Sequence, residues 1–391
     1  MTAVVLWCAI GLVVYAYFGY PCALLALSAV RRRPVKKDTA TPAVTFIITA
    51  HNEASRIVAK LGNTFAQDYP AHLLEILVAS DCSSDGTDEI VRALAPRVRL
   101  VRTSERRGKE AAQQLAIAEA SGTILVFSDV ATALDPSGVA TLVANFADPT
   151  VGCVSSIDRF VDADGTVSGE GAYVRYEMFL RALESRFNTL VGLSGSLFAA
   201  RREVCRRWAA DRQSDFSTVL NAVALGLRAV IDCDAAGYYR NICDDRRELN
   251  RKIRTVVRGL AVLRGNLRML NPLRYPLFAW QLFSHKLCRW LVPFAMIVAL
   301  LANVTLILAA ALAGADHPSV LYLLMLGAQL GFYAAAVVGL LSGSRALRIP
   351  TYFVLTNFAV LAAWFRYARG ERMTVWNPSE RFHALPQIGA Q

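Results

Sequence analysis

Val44-Thr45-Phe46-Ile47-Ile48-Thr49-Ala50-His51-Asn52-Glu53 is an apolar, β-branched run that stops on polar residues. After a helix-like segment, Leu74-Glu75-Ile76-Leu77-Val78-Ala79 repeats the pattern and ends in Ser80-Asp81-Cys82-Ser83-Ser84-Asp85-Gly86-Thr87. Short runs of this kind suit strands buried in a parallel sheet. Open α/β sheets bind ligands at the carboxyl ends of their strands. The two acidic stops therefore belong to one rim, where a nucleotide can be held.

Working outward, strands are expected at Val44–Thr49, Leu74–Ala79, Val98–Arg102, Ile124–Phe127 and Val151–Ile157. Helical segments are expected between them at Glu53–Thr64, Thr87–Leu94, Gly108–Ala120 and Pro136–Phe146, the last capped by Asp135-Pro136. This alternation predicts an α/β, doubly wound, mostly parallel sheet. Ser168–Arg186 has a helical pattern, with Tyr173, Tyr176, Phe179, Leu180 and Leu183 on one face.

The flanks are different. Of the 391 residues 54% are hydrophobic, too many for an ordinary soluble domain. Residues 1–30 carry no charge, and Arg31-Arg32-Arg33-Pro34-Val35-Lys36-Lys37 follows at once. Positive charge after the apolar run is a signal-anchor pattern, which retains the globular stretch on the cytoplasmic side. Val292–Ala313, Pro318–Leu341 and the shorter Ile349–Phe365 are also uncharged. Four transmembrane α-helices are expected. The domains then read as 1–30 anchor, 40–248 globular domain, 249–291 basic and interfacial helices, 292–368 membrane helices and 369–391 tail. The net charge is +11, and every charged residue from Arg251 to Arg289 is Lys or Arg. Beside membrane spans, this points to anionic lipid head groups and not to nucleic acid. The eight cysteines show no CxxC pair, which argues against a zinc site or a redox pair.

Five features carry chemistry. Asp81 and Asp85 can accept hydrogen bonds from a base or ribose, although Asp-x-Ser-Ser-Asp-Gly-Thr is also good turn and cap chemistry. Gly108-Lys109 opens an Ala-rich helix, a place suited to phosphate. An apolar strand delivers Asp129 to the same rim, where one carboxylate and a diphosphate can share a hard divalent cation. Asp215, after the glycine loop Gly192-Leu193-Ser194-Gly195-Ser196, suits a general base or the cap of helix Phe216–Gly226. Arg251, Lys252 and Arg254 form a basic face able to clamp pyrophosphate.

In this order and between membrane spans, these features resemble the membrane-integrated family 2 inverting glycosyltransferases of GT-A fold, of the polysaccharide-synthase type. The resemblance covers roughly residues 40–260. It implies nucleotide-sugar binding by Asn52, Glu53, Asp81, Lys109, Asp129, Arg251, Lys252 and Arg254. It also implies acceptor binding by Gly192, Ser194, Gly195 and Ser196, a Mg2+ or Mn2+ ion at Asp129, and catalysis by Asp215 as base. Three positions depart from the family pattern. The DxD metal motif reads Asp129-Val130-Ala131, without its second acid. The acidic dipeptide reads Ser214-Asp215. The QxxRW position reads Arg251-Lys252-Ile253-Arg254-Thr255, which argues against long processive synthesis. The implied activity is transfer of a sugar from a UDP- or GDP-sugar to a lipid-linked or polysaccharide acceptor, at the cytoplasmic face of an inner or plasma membrane. The alternative is a catalytically degenerate scaffold subunit of a polysaccharide synthesis complex. A membrane-anchored nucleotidyltransferase would need a second metal carboxylate that the sequence around Asp129 lacks.

Overall fold

The computed structural model describes residues 1–161, 172–240, 245–313 and 319–373. The chain divides into two compact units. One holds Met1–Ala23, Asp244–Leu260 and Leu270–Arg372, and the other is built mainly from Leu24–Cys243 with Ala261–Met269.

The second unit is an α/β sheet. Its strands are β1 (Val44–Ala50), β2 (Leu74–Ser80), β3 (Arg99–Arg102), β4 (Ile124–Asp129), β5 (Ala133–Leu134), β6 (Val151–Val161), β7 (Leu197–Arg201) and β8 (Arg228–Arg240). Their order across the sheet is β3-β2-β1-β4-β7-β6-β8-β5. The pairs β1–β2, β2–β3, β1–β4 and β6–β8 are parallel, while β7 and β5 run against their neighbours. The sheet is thus mostly parallel, as the alternating pattern predicts.

Strand order decides where a ligand can sit. The chain runs from β1 outward to β2 and β3, then returns to place β4 on the other side of β1. This reversal opens a crevice at the carboxyl ends of β1 and β4. All seven residues of β1 are buried. Each fully buried Val, Ile or Phe there contributes about 1.5–3 kcal/mol. The crossover helix Ala54–Phe65 buries Ile57 and Leu61 against the same core as Phe46, Ile48 and Val126.

Several expected boundaries move. The helix expected at Pro136–Phe146 is Gly138–Ala144 followed by a 3-10 turn, Asn145–Ala147. Asp135-Pro136 therefore precedes the helix as a turn, with the Asp135 carbonyl accepting from Gly138 N. The Ser168–Arg186 helix is observed as Ala172–Phe187, and residues 168–171 lie outside the described ones. The basic helix expected at the start of 249–291 is Asp245–Arg264, followed by the 3-10 turn Leu267–Leu270. Strands β5, β7 and β8 have no counterpart in the sequence reading, because β5 and β7 are short and Asp232, Asp234 and Gly237 interrupt the apolar pattern of β8.

The other unit is helical. Thr2–Val30, Pro276–Leu312, Val320–Ser342 and Arg345–Ala368 are each long and apolar enough to cross a membrane. The interfacial helix expected at the end of 249–291 is not separate. It continues through a π-helical turn, Phe283–Cys288, into Arg289–Leu312. Several polar groups inside this unit find partners, as an apolar surrounding favours, while Asn303 Oδ1 and Asn357 Oδ1 are buried without one among the described residues. Tyr15 Oη lies 2.7 Å from Ser284 Oγ and accepts from Trp280 Nε1 at 3.0 Å. Gln329 Nε2 donates to the Met296 carbonyl at 3.0 Å.

Gly122, just before β4, lies against the backbone of β1. A side-chain carbon there would come 2.4 Å from Thr45 N and 2.7 Å from Val44 C. Main chain cannot yield as a side chain can, and overpacking of this kind costs about 1–3 kcal/mol. Gly122→Ala is expected to lower the stability of the sheet unit by that amount, read as a fall in its melting temperature in detergent. An unchanged melting temperature would contradict the contact.

Candidate active site at the sheet rim

The rim is built from three loops tied together by hydrogen bonds. After β1 the chain turns at Asn52, whose φ of 53° lies in the left-handed region that Asn tolerates better than most residues. Asn52 Oδ1 accepts from Ser84 N at 2.9 Å, and Asn52 N donates to Ser83 Oγ at 3.2 Å. Glu53 N donates to Thr87 Oγ1 at 2.8 Å. Asp85 accepts from Ala54 N at 2.9 Å and Thr87 N at 3.0 Å, so one carboxylate serves the starts of two helices. Burial alone would raise its pKa, but these bonds and that of the Thr87 hydroxyl outweigh it and hold the carboxyl below its ordinary value.

Asp81 is fully buried. Its two oxygens accept from Arg107 N and Gly108 N, each at 2.9 Å, fixing the loop after β3. Its observed work is thus to hold this loop, with no oxygen turned to solvent. Glu53 is also buried and is paired with Arg56, Nη2 to Oε2 at 2.6 Å. Burial pushes the Glu53 carboxyl up to about 7 against the pull of Arg56, and Asp129 and Asp85 add to the rise.

The deeper part of the site centres on Lys109. Gly108, at φ 98° and ψ 166°, adopts a backbone open only to glycine and starts the helix Lys109–Glu119. The Lys109 ammonium is hydrogen-bonded to the Asp129 carboxylate and donates to the Gly195 carbonyl at 2.8 Å. Asp129 N donates to the Ser196 carbonyl at 3.0 Å. A side-chain carbon at Gly195 would come 3.4 Å from Asp215 Oδ2. Asp215 sits in the first turn of the helix Ser214–Ala224, inside the helix and not at its cap. Its oxygens accept from Phe216 N at 2.9 Å and Gln213 Nε2 at 3.0 Å. Beneath β4 and β7, Phe127 stacks on Phe198 at 4.7 Å and on Trp208 at 5.0 Å.

The helix Ala54–Phe65 grips the segment after Asp129. Lys60, with no exposure, donates to Ser128 Oγ at 2.7 Å and to the Thr132 carbonyl at 2.5 Å. Asn63 Nδ2 donates to the Leu134 carbonyl at 2.8 Å. Burial pushes the Lys60 ammonium down to about 7, partly offset by Asp129.

The structure brings Asn52, Glu53, Asp81, Lys109, Asp129, Ser194, Gly195, Ser196 and Asp215 to one rim, and Gly192 lies in the same loop. Arg251, Lys252 and Arg254 lie on the helix Asp245–Arg264, in the other unit. There Arg251 is bonded to Glu248 at 2.7 Å, and Lys252 Nζ stands 3.8 Å from the centre of the Tyr352 ring. Asp158, near the end of β6, is a rim residue that the sequence reading missed. It accepts from Ser194 Oγ at 2.6 Å and Ser196 Oγ at 3.1 Å. The signal was present, since an acid follows the apolar run Val151–Ile157 as Asp129 follows Ile124–Phe127.

Among the described residues no three His, Cys, Asp or Glu side chains converge as a metal cage. Ala131 stands where a second acid is expected, and Asp129 is the carboxylate facing Lys109. One carboxylate fits a cation whose other ligands are phosphate oxygens and water, the usual mode for Mg2+.

Residues 45–208 match the model of glycosyl transferase family 2. The chain is 36% identical over 89 residues to the succinoglycan biosynthesis protein ExoO of Rhizobium meliloti (strain 1021), covering 22% of this chain and 25% of that protein. It is 36% identical over 91 residues to the glycosyltransferase AglE of Haloferax volcanii, covering 22% of this chain and 30% of that protein. The matches thus span less than a third of either relative's length. Among solved structures, the mannosyltransferase PcManGT from Pyrobaculum calidifontis, in complex with GDP-Man and Mn2+, superposes with a TM-score of 0.71. It is 27% identical, and the match covers 94% of this chain and 100% of that one.

Glu53 makes the rim sensitive to pH. Its folded pKa of about 7 exceeds the ordinary 4.5. Between those values the native state holds a proton that the unfolded chain has released, so stability falls as pH rises through this window. Relative to Glu53→Gln, the native protein is expected to lose about 3 kcal/mol between pH 4.5 and 7.5. Denaturant titrations of both proteins at the two pH values check this, and parallel curves would contradict it.

Proposed function

We propose, from the match of residues 45–208 to the model of glycosyl transferase family 2, a membrane-bound enzyme that moves a sugar, with inversion, from a UDP- or GDP-sugar to a lipid-linked or polysaccharide acceptor. The observation that carries this reading is the Lys109 ammonium, joined to both Asp129 and the carbonyl of Gly195, with Gly195 against Asp215. This contact of Lys109 and Asp215 with one residue supports a diphosphate binder and a proton acceptor beside the same loop.

In this proposal the loops of Asn52, Glu53 and Asp81 receive the base and ribose, and Lys109 neutralises the diphosphate. Asp129 would hold a Mg2+ or Mn2+ ion, which when bound would supply further neutralisation of the leaving group. Stabilising charge on the leaving group is the largest contribution such a site makes. Asp215 takes the proton from the acceptor hydroxyl as its oxygen attacks the anomeric carbon, and a single displacement inverts that centre. The four apolar helices and the basic cluster Arg31–Lys37 support a multi-pass protein of an inner or plasma membrane, its sheet unit on the cytoplasmic side. Ala131, in place of the second metal acid, favours the alternative of a degenerate scaffold subunit.

Purified chain in detergent, given labelled UDP- and GDP-sugars, is expected to release nucleoside diphosphate and transfer label. Asp215→Asn should lower kcat about 10³-fold with little change in the KM for donor; undiminished turnover would remove Asp215 as the base. Nucleotide binding with no turnover under any condition would favour the scaffold reading. Chelation by EDTA should suppress transfer, and Mn2+ should restore it in the native chain but not in Asp129→Ala. Full activity in EDTA would mean that Lys109 suffices for the leaving group.

A further inference from the structure

We propose that Lys60 is a positioning residue for the divalent cation: its buried ammonium holds the turn Asp129–Thr132, so that one carboxylate serves where the family pattern has two. The inference rests on the transferase reading above and assigns a role to a group which that reading leaves unused.

The turn is closed on itself and then latched from outside. Thr132 N donates to the Asp129 carbonyl at 3.1 Å, and Ser128 Oγ donates to the same carbonyl at 3.2 Å. Lys60 Nζ reaches both ends, with Ser128 Oγ at 2.7 Å and the Thr132 carbonyl at 2.5 Å. Val130, between them, is fully buried. Ala131, where the second acid is expected, therefore lies inside a turn whose shape is already set.

Neutral side chains on the same helix make latches of this kind farther along. Asn63 accepts from Leu134 N at 3.0 Å and donates to its carbonyl at 2.8 Å. Gln67 donates to the Asp135 carbonyl at 2.9 Å and accepts from Val139 N at 3.0 Å. At position 60, whose bonds go to the residues flanking the turn, the chain uses an ammonium instead. It has no exposure, and no carboxylate pairs with it among the described residues. Taking such a charge out of water opposes folding, so packing alone would favour an apolar residue here. The Asp129 carboxylate and the Phe46 ring, centred 5.3 Å from Nζ, offset part of that cost. In return, a hydrogen bond from a charged donor is about twice as strong as a neutral one. The stiffest latch thus stands beside the carboxylate that would hold the ion. Partners behind a metal ligand fix its orientation, and losing one weakens metal binding about 10–100-fold.

Mn2+ binding to the full-length chain in detergent is measured by electron paramagnetic resonance, with saturating GDP or UDP and no acceptor, so turnover plays no part. Lys60→Met keeps the length of the side chain and removes the ammonium. It is expected to raise the Kd for Mn2+ at least about tenfold, while nucleotide affinity without metal changes less than about twofold. Ser128→Ala removes the hydroxyl between Lys60 and the Asp129 carbonyl, and is expected to raise the Kd about threefold. The double variant should bind no more weakly than Lys60→Met, because both changes break one path. If Lys60→Met does not fold, Ser128→Ala decides alone. A lower melting temperature with an unmoved Kd would make the latch merely structural, and a tighter Kd would show the ammonium acting only by repulsion. Either result overturns the inference while the native chain still binds Mn2+ with nucleotide. A native chain whose Mn2+ binding ignores nucleotide would bring down the metal half of the transferase reading, and this inference with it.

Discussion

The sheet unit depends on the placement of β1 between two parallel neighbours. Ala50 pairs in register with Ser80, and Thr49 with Asp129. These registers bring the ends of three strands to one height, so the side chains beyond them share a rim. A slip of one residue would turn Asp129 to the opposite face of the sheet. Complete burial of β1 forbids such a slip, since it would exchange Phe46 and Ile48 for Thr45 and Thr49 on one core face.

On this base the rim is divided by geometry, and in the proposed reaction by function as well. The half near β2 and β3 is almost fully hydrogen-bonded: Asp81, Asp85 and Asn52 satisfy main-chain N–H groups from neighbouring loops. Such a region is preorganised, and binding there costs little ordering. The half near β4, β6 and β7 holds its charges on side chains that meet each other, with Lys109 against Asp129 and the serines against Asp158. Contacts between side chains rearrange more easily than those to main chain, which suits the place where the proposed chemistry occurs. The buried Lys60 and the neighbouring Asn63 then fix the segment after Asp129 through its carbonyls, so the carboxylate does not depend on a second acid for its position.

Much of this was legible beforehand. The parallel core strands, the Asp stops and the Gly108-Lys109 helix start all carry local signals, because alternation, burial and turn chemistry are written into neighbouring residues. The membrane helices are legible for the same reason. The antiparallel strands β7 and β5 were not, because a five-residue and a two-residue strand exist only through their partners.

The sequence by itself determined the class of fold, the presence of four membrane-length helices and which acids terminate strands, since each follows from periodicity and composition within a short window. Tertiary structure alone decided which of those acids face one another. The meeting of Lys109 with Asp129 and Gly195, the burial of Asp81 and the joining of Asp158 to the serine loop all require strands distant in sequence to be hydrogen-bonded in a particular order, and no local pattern encodes that order.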